Sequence, residues 1–382
     1  MLRAWNGPGS KPRKAPRNVM KPMHKLITAI SAAGLLAAAG FGADGIDLSS
    51  LPSYKPEQKV AGAIRFFGSE LKGQTEVWEK GFLKFHPDAV FSNNFMTSSE
   101  GAMAGLYTGL SDLAPAGDDA KITDQMPFYN TFRYLPTEVS VATGGYEARG
   151  TLWAVVIVVN KDNPIKNLSL KQLAGIFGAE RTGGWDGILY TSKYARGPDE
   201  DIRTWDQVGL KGEWAGKQIH TYGYTAPGFV AYFERKLLHW STKWNPNYKE
   251  YVEAKEVTPD SYGPAVASEQ MLEELSKDKY GIAWAALMHT KHYPNVKPLA
   301  ISVNDGGPYI ELTQDNVRNR TYPLIRDAYF YLNRAPGRVL DPKVKEFMRY
   351  VLSREGQEDI VRLGMYNPLT PAYLQEQLRK LD

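Results

Sequence analysis

The sequence predicts an α/β fold of two lobes, each a mainly parallel sheet flanked by helices, with a cleft between them. Three observations carry this expectation. With 382 residues the chain can bury two cores, since single domains usually hold about 100 to 200 residues. Between residues 64 and 114, short apolar runs alternate with amphipathic stretches in the order strand, helix, strand, helix, strand, which implies parallel pairing with right-handed crossovers. Leu152 to Asn160 is then a nearly continuous apolar and β-branched run, as expected of a strand buried on both faces at the entry to a second lobe.

Taken in order, residues 1–43 read as a targeting segment. Lys21 and Lys25 precede an apolar run from Leu26 to Phe41, and Ala37-Ala38-Ala39 and Phe41-Gly42-Ala43 both offer a small-x-small cleavage pattern. The run is shorter and richer in Ala and Gly than a membrane span of about 20 apolar residues. The expectation is an exported protein, cleaved near Ala43 and working in the periplasm or another extracytoplasmic space, with Met20 and Met23 as alternative starts. Residues 44–59, with Pro52 and Pro56, form a linker. Lobe 1 begins at 60–152, lobe 2 spans 153–327, and 328–382 return to lobe 1.

In the first part, Ile64 to Phe67 is a strand ending at Gly68, and Trp78, Phe82 and Phe85 at i, i+4 and i+7 mark a helix stopped by His86-Pro87. Val90 to Phe95 is a second strand. Met103, Leu106 and Leu110 share a helix face, and Asp112-Leu113-Ala114 is a third strand. In lobe 2, Ser169 and Gln172 are spaced as a capping box for a helix running to Phe177. Residues 179–201 read as a surface insertion, Val230 to Leu238 and Glu269 to Leu275 as helices, and Gly281 to Ala285 as a strand. Tyr329 to Leu332 is an aromatic strand returning to lobe 1. Asp341 as N-cap and Pro342 at the first helical position open a helix with Val344, Phe347, Met348 and Val351 on one face, and a further helix closes at Gly364.

Composition excludes several classes of function. Of the 46 Lys and Arg, seven lie in residues 1–43, which hold no Asp or Glu; without them, 39 basic residues face 42 acidic ones, a net of −3. A near-neutral chain gives no reason to expect nucleic acid, whose binding needs concentrated positive charge. The mean hydropathy of −0.40 argues against a polytopic membrane protein. With no Cys there is no lipidation cysteine, no disulfide framework and no Cys metal site.

Small hydroxyl residues and Gly recur at strand-to-helix turns, first Gly68-Ser69 and then Thr97-Ser98-Ser99 before Gly101. Helix starts expose free N–H groups at the ends of parallel strands, where they can hold an anion without a metal or cofactor. The same residues also serve as ordinary N-caps.

These segments carry a resemblance. Phe67-Gly68-Ser69 with its helix, Thr97-Ser98-Ser99-Glu100-Gly101 and Asp112-Leu113-Ala114 are similar to the first lobe of the phosphate-binding subunits of ABC transporters. Val158 to Pro164 followed by Leu170 to Phe177, Ile202-Arg203-Thr204-Trp205, Gly281-Ile282-Ala283-Trp284, and the stretch from Tyr322-Pro323-Leu324 through Ser353 to Gly364 continue it in order, over roughly residues 60 to 375. The resemblance implies a type II periplasmic-binding-protein fold, a phosphate-like anion in the interlobe cleft, hinge closure, and delivery by a monomer to a membrane permease. It implies no enzyme activity and no cofactor.

Carried over by position, Ser69 and Ser98 match residues whose hydroxyls and amides hold the ligand, with Thr97 and Ser99 beside them, and Asp118 lies near the family's acceptor Asp. One segment departs. Where the family has an Arg and then a Ser-Gly-Thr turn, this chain reads Tyr222-Gly223-Tyr224-Thr225-Ala226-Pro227-Gly228-Phe229, keeping Gly228 and offering Thr225 as a hydroxyl. A missing Arg removes a bidentate partner for an oxyanion. Tyr222, Tyr224 and Phe229 either build an apolar wall or belong to the core. The departure leaves open a second use of the fold, for a sugar-like or aromatic ligand or a partner protein, and an exported hydrolase stands third.

Enzyme motifs are incomplete. Ser69-Glu70-Leu71-Lys72 has S-x-x-K spacing without its S-D-N and K-T-G companions. His289 and His292 have no acidic partner at metal-site spacing and read as solvated. Asp118-Asp119 reads as a solvated acidic pair rather than an acid-base dyad.

Overall fold

A computed structural model describes residues 46–68, 71–95, 101–147, 152–225, 229–252 and 266–382. The leader expected at 1–43 lies outside them, as do Ser69, Thr97, Ser98, Ser99 and Gly228. No helix among the described residues is long and apolar enough to cross a membrane.

In chain order the strands are β1 (Gly62–Phe67), β2 (Ala89–Asn94), β3 (Leu113–Ala116), β4 (Thr137–Thr143), β5 (Val155–Asn160), β6 (Asn167–Ser169) and β7 (Gly184–Asp186). They continue with β8 (Leu189–Thr191), β9 (His220–Tyr224), β10 (Lys249–Tyr251), β11 (Gly281–Ala286), β12 (Val296–Pro298), β13 (Ala300–Ser302) and β14 (Asp327–Leu332). Two five-stranded sheets result, one ordered β2-β1-β3-β14-β4 and the other β10-β9-β11-β5-β12.

Each sheet is mixed. β2, β1 and β3 are parallel, as are β10, β9 and β11, whereas β14 and β5 pair antiparallel to both of their neighbours. Parallel pairing is thus confined to three strands per sheet. The reversed strand is in each case the one that follows a crossing from the other sheet and so enters from the opposite end. Both are buried at every position, and burial on both faces explains the unbroken apolar runs that the sequence shows there.

The lobe around β1 packs Phe66, Trp78, Phe82, Phe330 and Phe347 into one core. The other lobe packs β5 against Phe177, Phe233 and Trp284, with the Phe233 ring stacked 4.5 Å from Trp284 and 5.7 Å from Trp244. Burying each such side chain stabilises by roughly 1.5–3 kcal/mol. Local signals behave as their chemistry demands. Ser169 Oγ accepts from Gln172 N at 3.1 Å while Gln172 Oε1 accepts from Ser169 N at 2.9 Å, and Asp341 caps the helix Pro342–Val351 through Lys343 N at 3.0 Å.

Two helices stop short of their apolar pattern. Lys72–Phe82 ends before Phe85, and Ala102–Tyr107 ends before Leu110, which is 59% exposed beyond the left-handed Gly109. The segment 179–201 contains the β7–β8 hairpin. The two crossings between lobes run side by side: Gly144 N donates to Arg326 O at 2.8 Å and Val155 N to Leu324 O at 2.9 Å. Arg320 braces them, bonding both oxygens of Asp327 at 2.7 and 3.0 Å with its guanidinium 3.7 Å from the Tyr373 ring centroid.

Glu79 makes the first lobe pH-sensitive. It is buried, accepts from Asn93 Nδ2 at 3.1 Å, and its Oε1 has no partner among the described residues. Burial pushes its carboxyl from 4.5 up to about 7, so the folded protein holds a proton that the unfolded chain has released. Unfolding free energy should therefore fall by about 3 kcal/mol as pH rises from about 4.5 to about 7, then level off. Urea melts of Glu79→Gln should lack this slope; an equal slope in the variant would assign it to other groups.

Candidate functional site

The carboxyl ends of β1 and β3 meet at a close backbone approach. Gly68 follows β1 with φ +119°, and a Cβ placed there would lie 2.5 Å from Ala102 Cβ and 3.1 Å from Pro115 O. Glycine is required on both counts. The strand end, the start of the helix Ala102–Tyr107 and the chain leaving β3 are thereby drawn together, and Asp118 follows directly. Asp118, Ala102 and Tyr331 border a void of about 10 Å³, the scale of one water position. With only six residues, Ala102–Tyr107 contributes a short dipole.

Asp118 is joined to a residue that sequence reasoning missed. Arg326 is only 3% exposed, and its Nη2 donates to Asp118 Oδ1 at 2.7 Å. Its Nη1 is buried with no hydrogen-bond partner among the described residues. The guanidinium carbon lies 5.9 Å from the Trp153 ring centroid and 5.8 Å from that of Tyr232, within reach of cation–π attraction. Tyr232 Oη is likewise buried without a partner among the described residues, and burial raises this phenol so that it stays a neutral donor. His289 completes the row. Its ring sits 6.4 Å from Trp153, burial lowers its pKa, and Nδ1 has no partner among the described residues. The expectation of a solvated His289 gives way to a half-buried ring packed on the crossing.

Buried polar groups are almost always paired. Among the described residues Arg326 Nη1, on a permanent cation, and Tyr232 Oη, whose ring centroid lies 5.8 Å from the guanidinium carbon, are buried donors without a partner, and His289 Nδ1 is a further unpaired nitrogen on the ring beside Trp153. Asp118 and Asp119 divide their work: Asp118 faces Arg326, while Asp119 accepts from Tyr329 Oη at 2.9 Å and from Arg235. Neither is a solvated acid.

The segment Tyr222 to Thr225 enters the second lobe as β9. Tyr222 and Tyr224 are both buried; Tyr222 Oη donates to Asp278 at 2.7 Å, and Tyr224 Oη meets Ser268 Oγ at 2.7 Å with its ring 5.1 Å from Trp284. Of the two alternatives, these rings belong to the core. Thr225 is half-buried at the strand end, its N–H donating to Tyr251 O at 3.1 Å. Lys72, of the S-x-x-K spacing, extends to the neighbouring Glu76 at 3.9 Å.

Comparisons with known proteins find relatives over most of the chain. A model of the PBP superfamily domain matches residues 151–355. The phosphate-binding protein PstS of Pseudomonas aeruginosa is 30% identical over 357 residues, covering 91% of this chain and 98% of that protein. Protein SphX of Synechococcus elongatus is 24% identical over 210 residues, 53% of this chain and 50% of its own. Among solved structures, PstS from Borrelia burgdorferi gives a TM-score of 0.49 at 15% identity, covering 82% of this chain and 100% of that one. An ABC-type phosphate transport receptor from Vibrio cholerae gives 0.46 at 17% identity, covering 81% and 100%.

Proposed function

Because this chain belongs to the family of phosphate-binding PstS proteins within the PBP superfamily, we propose that it captures inorganic phosphate between its lobes and delivers it to the membrane permease of an ABC importer. The observation that carries this is the buried Arg326, which bonds Asp118 through one nitrogen and leaves the other without a partner among the described residues. Arg326 supplies the cation that the segment 222–229 lacks. Its free Nη1 donates to a phosphate oxygen, and charge-assisted bonds of this kind are about twice as strong as neutral ones. Asp118 accepts a hydrogen bond from the hydroxyl that phosphate retains at neutral pH. Ser69, Thr97, Ser98, Ser99 and Thr225 add hydroxyl and amide donors, Gly228 lets the backbone approach, and Tyr224 anchors the strand that presents them.

Closure follows from contacts made by both lobes at once, which exist only in the closed form. Residues 1–43 direct export, so that capture takes place in the periplasm, and the protein works as a monomer that turns nothing over.

The proton on the ligand provides the test. A site built around a hydrogen bond to a ligand hydroxyl rejects an isostere lacking it by about 10⁴-fold, so calorimetry should show phosphate bound and sulfate excluded by that order. Asp118→Asn, which can donate to a bare oxygen, should collapse the ratio toward unity. An unchanged ratio in the variant, or no heat with phosphate in the unaltered protein, removes the proposal.

A further inference from the structure

Between the lobes a second ionic cluster links the helical turn that carries Arg235 to the first lobe. Arg235 lies on a single π turn, Glu234–Leu238, that continues the helix Phe229–Phe233 of the second lobe and ends in two left-handed residues, His239 (φ 53°) and Trp240 (φ 62°). Both features are uncommon and cluster at functional positions. From there the guanidinium crosses to the first lobe, where Nη1 donates to Asp119 Oδ1 and the two terminal nitrogens reach the two oxygens of Glu138 at 3.2 Å each. Asp119 is 5% exposed.

Two tyrosines on β14 fix the acceptors, Tyr329 Oη on Asp119 at 2.9 Å and Tyr331 Oη on Glu138 at 3.1 Å. Arg235 and Glu138 border both of the cavities on either side of them, of about 370 and 520 Å³. The cluster therefore pins the middle of the interlobe groove. It also shares a loop with the ligand site, since Asp118 holds Arg326 and the next residue, Asp119, holds Arg235.

We propose that Arg235 is the closure latch of this protein, a residue that sets phosphate affinity without touching phosphate by pairing with Asp119 and Glu138 only when the lobes are together. The inference rests on the phosphate reading for its affinity readout alone. A forked guanidinium held by two carboxylates is specific in distance and angle, so opening the lobes breaks all of Arg235's bonds to them at once. The latch stabilises the closed form with or without ligand. Where the ligand-free protein is mostly open, losing the latch raises the dissociation constant; where it is mostly closed, losing it opens the ligand-free lobes.

The test uses Arg235→Met, which keeps the stem and removes the fork, and Arg235→Lys, which keeps the charge. Paired spin labels, one on each lobe, report the interlobe distance in the ligand-free protein, and calorimetry reports the dissociation constant for inorganic phosphate. Arg235→Met should lengthen that distance, raise the constant about tenfold, or do both, and Arg235→Lys should fall between. Raising salt to about 1 M, where the screening length is about 3 Å, should move the unaltered protein toward the Arg235→Met values, in distance or in dissociation constant, and leave Arg235→Met unmoved. Distances and constants that match the unaltered protein in both variants, with no response to salt, overturn the latch. If the unaltered protein binds no phosphate, the phosphate reading fails alone, because the distance measurement needs no ligand.

Discussion

Arg326→Met should weaken phosphate capture sharply and also weaken the fold. The two effects have separate causes. Removing the guanidinium takes from the largely covered Asp118 the cation that bonds it at 2.7 Å, and breaking a buried ion pair by deleting one partner costs up to about 3–5 kcal/mol. The binding loss comes from the charge-assisted bonds Arg326 makes to the anion. At about 1.5–3 kcal/mol each, one or two such bonds amount to a fall of roughly 10- to 10⁴-fold in affinity.

A second substitution separates them. In Arg326→Met with Asp118→Asn the carboxylate charge that faced the guanidinium is gone too, so stability should recover by a measurable coupling energy, while phosphate binding stays weak. Urea unfolding and phosphate calorimetry on the two single variants and the double decide the matter. Arg326→Met with an unaltered dissociation constant would make the pair purely structural.

Why Arg326 could not be read from the sequence is instructive. In the string Ile325-Arg326-Asp327 it looks like any charged residue at the edge of a strand, and the acceptor that gives it meaning lies 208 positions earlier. Pairing at that separation leaves no periodic trace. The family resemblance pointed instead to 222–229, where the expected Arg is absent and the rings of Tyr222 and Tyr224 fill a core, while the Phe229 side chain lies outside the described residues. The strands β5 and β14 were legible for the opposite reason: burial on both faces makes all but one position of each apolar or aromatic, a constraint visible without any partner. Their antiparallel direction was not visible, because side-chain composition does not encode which end a strand enters from. Helix lengths failed where one residue intervened. Gly109, at φ +73°, ends the turn after Thr108 and leaves Leu110 to solvent despite its helical spacing.

Gly223→Ala should be the most damaging single methyl in the second lobe. A Cβ at that position would lie 2.0 Å from Tyr248 Oη and 2.3 Å from Trp284 Nε1, which bond each other at 3.2 Å. The methyl would sit on that bond. Tyr248 also donates to Tyr224 O at 3.2 Å and stacks 4.5 Å from Trp244, so moving its ring disturbs three contacts together. Overpacking costs about 1–3 kcal/mol, and losing a buried hydrogen bond adds about 1–3 kcal/mol, which gives an expected destabilisation of about 2–6 kcal/mol in urea. Tyr248→Phe in the same chain removes the oxygen that the methyl strikes, and should return part of the loss although it weakens the unaltered protein. Because Thr225 lies two residues beyond Gly223 at the end of the same strand, phosphate affinity should fall with stability and recover with it. A Gly223→Ala protein that unfolds at the same urea concentration as the unaltered one would mean that the aromatic platform under β9 yields freely, and that the strand does not hold the loop in place.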